Sequence, residues 1–136
     1  MTDRVAVDFD SWVGGGNGAD SLGFEWGATI QVSQEDHNNG GYMFAMDEYG
    51  DHITFTWQNN ILKRVGMSNL DDSQWHSWTL EFKNNHLKVF KDGSLVLEHT
   101  DSQRTISPTG FVGFGARTGG STNEHRIKNF RVYTPI

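Results

Sequence analysis

The chain has 136 residues, with 16 glycines against 2 prolines, no cysteine, and a formal net charge of -6 at a pI near 5.4. That length fits one domain, residues 1–136, large enough to bury a core without disulfides or a structural metal. The acidic balance argues against nucleic acid as a partner, since such affinity rests on Lys and Arg neutralising phosphates, and no apolar run is long enough for membrane insertion.

Met1-Thr2-Asp3-Arg4 leads directly into a strand pattern, without the basic start and apolar stretch of a signal peptide. Without cysteine, the redox compartment stays open. Val5, Val7 and Phe9 alternate with Ala6, Asp8 and Asp10, which predicts a half-buried strand with its carboxylates toward water. The glycine-rich stretch from Gly14 to Asp20 follows, then an apolar strand through Leu22 and Phe24. After Gly40-Gly41 comes another apolar strand, Tyr42 to Met46, and then Ile53, Phe55 and Trp57 alternating with Thr54 and Thr56. Trp78, Leu80 and Phe82 alternate with Thr79, Glu81 and Lys83. The turn signals Asn84-Asn85 and Asp92-Gly93 lead into Leu87 to Phe90 and Leu95 to Leu97, so these three strands read as a meander. Phe111 to Ala116 and Arg126 to Tyr133 complete the set. In the last, Ile127 is out of phase with Phe130 and Val132, which predicts a bulge near Lys128 or Asn129.

This gives about nine strands and no helical spacing, so the fold class is all-β, a sandwich or a barrel. Two glycine-rich segments interrupt the pattern, Gly14 to Asp20 and Gly113 to Thr122. They are either tight turns or backbone shaped for close approach to a ligand. Neither ends in Gly-Lys-Ser/Thr, which excludes a phosphate-binding P-loop. The histidines, His37, His52, His76, His86, His99 and His125, show no metal-ligand spacing, and no Ser-His-Asp or Cys-His arrangement is visible. Asp8 and Asp10 share one strand face, where carboxylates are more often solvated surface than a catalytic pair.

The order of these segments resembles the L-type (legume-type, concanavalin A-like) lectins. The family's strand and loop ending in Gly-Ala-Asp-Gly is matched by Phe9 to Phe24, with Gly18-Ala19-Asp20 at its centre. Its Gly-Gly pair before a strand ending Phe-Asp-x-Tyr is similar to Gly40-Gly41 through Asp47, Glu48 and Tyr49. Its Gly-Phe-Ser-Ala segment and His-x-Ile-x-x-Trp-x-Phe strand resemble Val112 to Ala116 and His125 to Val132. The resemblance implies an antiparallel β-sandwich jelly roll with a carbohydrate site on loops at one end of the concave sheet. Transferred by position, Asp20 accepts hydrogen bonds from sugar hydroxyls, after a peptide the family holds cis. Gly40 or Gly41 offers a backbone N–H, and Tyr49 or Trp26 supplies a stacking face. Gly119, Gly120 and Ser121 form the loop that selects the sugar, with His125 packed behind it.

The chain departs from the family at its metal loop. Ala45 stands where the family has a metal-binding Glu, so a transition metal is not expected. Asp47-Glu48-Tyr49-Gly50-Asp51 runs directly into His52-Ile53, leaving no counterpart of the family's calcium- and sugar-binding asparagine. This acidic turn is read either as a calcium site, with Asp47 and Asp51 as ligands, or as a solvated hairpin. Glycosidases on this fold carry alternating acids on one strand; Phe44 to Glu48 lacks the pair, so no catalytic residue is assigned. The expected partner is a glycan or polysaccharide, and by resemblance the location is extracellular, cell-surface or virion-associated. The alternative is a structural or adhesion module, such as a virion decoration, tail-fibre or adhesin subunit, on the same fold. The edge beside Arg126 to Tyr133 is then open, or covered by a second copy or a parent chain.

Overall fold

The computed structural model describes residues 4–27, 41–58, 60–108, 110–118 and 120–135. Its strands are β1 (Arg4–Gly14), β2 (Ser21–Gly27), β3 (Gly41–Asp47), β4 (His52–Trp57) and β5 (Asn60–Gly66), followed by β6 (Trp75–Lys83), β7 (His86–Lys91), β8 (Ser94–Thr100), β9 (Phe111–Arg117) and β10 (Glu124–Tyr133). They form two antiparallel five-stranded sheets, ordered β10-β1-β6-β7-β8 and β5-β4-β3-β2-β9.

The period-two alternation read from the sequence decides which side chains meet between the sheets. Val7, Phe9, Trp78, Leu80, Phe82, Leu87 and Val89 come from the first sheet; Leu22, Phe24, Trp26, Phe44, Met46, Ile53 and Phe55 come from the second. Aromatic pairs bridge the layers: Trp26 on Phe82 at 5.2 Å, Phe44 on Trp78 at 5.4 Å and Phe9 on Phe24 at 6.2 Å between centroids. Each deeply buried indole has its N–H satisfied, Trp78 donating to Ser11 Oγ and Trp26 to the Ile106 carbonyl, both at 2.9 Å.

The meander appears as β6, β7 and β8 in adjacent order, joined at Asn84-Asn85 and at Asp92-Gly93. Asp92 and Gly93 both have positive φ, as the tight hairpin turn requires. The predicted bulge lies on β10. Asp8 pairs with Arg131 but Asp10 with Lys128, and the extra residue is accommodated at Asn129, in the left-handed region at φ 56°. β5 is an element the hydrophobic pattern missed. Ile61 and Leu62 are adjacent and Lys63 and Arg64 follow, so the segment does not alternate, and it pairs only along an edge through β4.

Strand direction determines which loops become neighbours. The C-terminal ends of β1, β3 and β9 and the N-terminal ends of β2, β4, β6 and β10 share one end of the sandwich. The loop residues 15–20, 48–51, 67–74, 118 and 120–123 are gathered there.

Candidate functional site

The Asp20 loop is clamped by backbone before any side chain contributes. Asn17 and Gly18 donate N–H groups to the Thr122 carbonyl at 2.8 and 3.1 Å, and Thr122 N–H donates to Asn17 Oδ1 at 2.6 Å. Gly16 sits so close to Thr122 that a Cβ would collide with that carbonyl, and Gly18 has φ 95°. Both glycines are therefore required by geometry. Asp20 N–H donates to the Arg117 carbonyl at 2.7 Å, Tyr49 N–H reaches the Asp20 carbonyl at 3.4 Å, and the Ala19-Asp20 peptide is cis.

Three loops from three connections thus converge on Asp20. Its carboxylate is half-buried, with Arg117 Nε 3.9 Å away, and beside it Tyr49 is 73% exposed. Gly120 is exposed with open space around it, and Ser121 is half-buried on the same loop. A carboxylate, a cation, an exposed aromatic ring and a hydroxyl around an open loop surface suit a ligand with many hydroxyls and flat C–H faces. They do not form an apolar pocket. A cleft of about 530 Å³ lined by Arg4, Phe82, Lys83 and His86 lies at the far end of β1 and β6, away from these loops.

Beneath the loops lies a polar cluster of which the sequence analysis placed only His125. The Glu48 side chain is fully buried, and its Oε1 accepts a short hydrogen bond from His125 Nε2. Asn123 lies 3.4 Å from the same oxygen. With its amide turned over, Asn123 instead donates to the Thr122 carbonyl at 3.0 Å and accepts from Ala19 N–H at 3.3 Å, giving up the hydrogen bond to Glu48. A hint was present in the sequence: Glu48 is a charged residue directly following an apolar strand that ends in Asp47.

Other candidates lie elsewhere. Trp26 is 1% exposed and stacks on Tyr42 and Phe55 in the core, so its ring cannot face a ligand; an apolar strand position outweighs the aromatic's binding potential. Gly41 opens β3 opposite Gly27, six residues along the strand from Asp47, which places it about 20 Å from the Asp20 end. A Cβ on Gly41 would collide with the Trp26 carbonyl, so this glycine serves strand packing. Gly40 and Gly119 lie outside the described residues.

Asp47 Oδ1 accepts Gly50 N–H at 2.7 Å, and its Oδ2 lies 3.1 Å from His52 Nε2 without a hydrogen bond between them. Asp51 is exposed, and Glu48 is turned inward. Calcium takes six to eight oxygens, and among the described residues no three His, Cys, Asp or Glu side chains are grouped to hold a metal ion. With Glu48 turned inward, this short turn offers only the Asp47 and Asp51 carboxylates toward such a site. Asp8 and Asp10 are tied down on the outer sheet face, Asp8 by Thr79, Arg131 and Tyr133 and Asp10 by Asn129.

No protein-family model and no curated protein sequence matches the chain. Solved structures do. The VIP36 exoplasmic/lumenal domain in its calcium- and mannose-bound form superposes with a TM-score of 0.79 at 16% identity, covering 99% of this chain and 69% of that one. Carbohydrate binding module CBM66 from Bacillus subtilis gives 0.61 at 15% identity, covering 97% and 76%. The Caenorhabditis elegans galectin LEC-6 gives 0.63 at 6% identity, covering 97% and 84%. At such identities the similarity speaks for architecture. Two antiparallel sheets, the strand order and these superpositions together show that the protein has the concanavalin-like jelly-roll fold of the L-type lectins.

Proposed function

We propose that the protein is a carbohydrate-binding domain whose site is the loop surface around Asp20, with Tyr49, Gly120 and Ser121. The observation that carries this reading is the half-buried Asp20 carboxylate, on a backbone held by converging loops, beside an exposed tyrosine. A carboxylate fixed by its backbone loses little entropy on accepting two hydroxyls, and the ring offers the C–H face of a pyranose a flat partner. The fold agrees with this reading, since VIP36 was crystallised with mannose and CBM66 is a carbohydrate binding module. A lumenal or extracellular location belongs to the same proposal.

We read the domain as a binder and not an enzyme. Hydrolysis of a glycosidic bond needs a second carboxylate across the scissile bond, and Glu48 is buried against His125 instead. A glycan array probed with wild type and Asp20→Ala, each with and without a chelator, tests the proposal. Wild type should bind a subset of glycans, and Asp20→Ala should lose about 10- to 100-fold in affinity, as expected for a hydrogen-bonded charged group. A blank array, or binding unchanged in Asp20→Ala, would overturn it.

A second reading, a contact module, is favoured by one observation. Phe111 and Val112 on β9 and Phe130 and Val132 on β10 are exposed along the two edges on one side of the sandwich. A blank array combined with concentration-dependent sedimentation would support that reading.

A further inference from the structure

We infer that Glu48 and His125 are the positioning pair of the Asp20 site, holding its loops in place with protein atoms and without a bound cation. The inference rests on the carbohydrate reading for its functional meaning, but its geometry stands apart from any ligand. Glu48 follows β3 directly and His125 is the second residue of β10, so their hydrogen bond ties the ends of two strands that lie in different sheets. Both side chains are almost wholly removed from solvent. Burying a carboxylate is costly unless it is paired, and here the pairing comes from His125.

The cluster reaches the binding surface by two routes. On one side, the hydrogen bond from Glu48 to the His125 ring anchors the segment just after Thr122, whose carbonyl clamps Asn17 and Gly18. On the other, Tyr49 follows Glu48 in sequence and donates its N–H to the Asp20 carbonyl. Displacing Glu48 would therefore disturb Asp20 and Tyr49 together. The second oxygen of Glu48 is buried and has no hydrogen-bond partner, an arrangement that packing alone does not favour. A stability-driven core would have an apolar residue there, so the carboxylate is retained for the loops.

Facing this loop cluster are Asp47 and His52 on the β3–β4 turn, Asp20 and Arg117 at the surface, Asp71 beside Gly18, and Glu124 next to His125 on β10. Amide hydrogen exchange on the whole chain, in chelator and then in about 1 mM calcium, tests the assignment. Expected in wild type is equal protection of the Asn17, Gly18 and Asp20 amides under both conditions. Glu48→Ala should lower that protection about tenfold or more, leaving β6 and β7 amides unchanged, and the conservative Glu48→Gln should restore much of it. Loops protected only with calcium, or equally protected in Glu48→Ala, would overturn the inference. If Glu48→Ala does not fold, loop amides in His125→Ala as protected as in wild type would overturn it. The carbohydrate reading fails on a blank array, whereas the positioning role fails on these loop amides, so each can fall without the other.

Discussion

Asp101 illustrates how one side chain organises a chain reversal. It leaves β8 buried, and its Oδ1 accepts the N–H groups of Gln103 and Arg104 at 2.8 and 3.1 Å while its Oδ2 receives Arg104 Nη1 at 2.8 Å. Burial alone would push this carboxyl up. The Gln103 N–H and the Arg104 side chain and N–H more than offset that and hold it below the usual carboxylate range. A carboxyl whose pKa is lower folded than unfolded contributes stability fully above the unfolded value of about 3.9, and loses it as pH falls through the folded value. Asp101→Asn should therefore cost about 1–3 kcal/mol at neutral pH, and the gap from wild type in urea denaturation should narrow below about pH 4. A gap constant with pH would contradict this. At the same scale, the turn carrying Asp20 was legible because loop glycines and a local motif marked it. Glu48 and Asn123 were not, because their roles depend on a partner 75 or more residues away.

Among the elements, β10 was read most fully from sequence. A break in phase between Ile127 and Phe130 is the signature of an inserted residue, and the structure puts it at Asn129, whose Nδ2 donates to Asp10 Oδ2 at 2.8 Å. Asparagine tolerates the left-handed region, whereas a β-branched residue does not. Asn129→Val should thus destabilise by about 1–2 kcal/mol or more and Asn129→Gly by less, as read from urea midpoints. Equal costs would mean that the backbone conformation contributes nothing. β5 was illegible for the opposite reason. An edge strand with most side chains exposed is under no pressure to alternate, so its pairing with β4 is visible only in the folded molecule.

For the whole molecule, the decisive feature is that both sheets share one aromatic interior. Phe24 contacts Phe9, Trp26, Phe114 and Phe130, joining strands of both sheets. Phe24→Ala should cost about 3–5 kcal/mol and loosen both sheets together, so near- and far-ultraviolet circular dichroism should report the same melting transition. Separate transitions for the two signals would show that the sheets are not one cooperative unit. The outer side of this core is unevenly sealed, since Phe114 and Phe130 meet at 5.2 Å while Phe111, Val112 and Val132 stay exposed near them.

By itself the sequence determined every strand but β5, with the inward faces, the hairpin turns and the bulge, because period-two burial and positive-φ turns are local properties of a chain in water. It also marked the Asp20 loop, through glycines that a tight approach to Thr122 demands. Tertiary structure alone decided the rest. It sent Trp26 into the core, separated Gly41 from Asp20 by the length of a strand, and turned Glu48 away from Asp47 toward His125. Those outcomes depend on which strand ends share an end of the sandwich and which side chains its interior can accommodate, and both are fixed only when the two sheets pack.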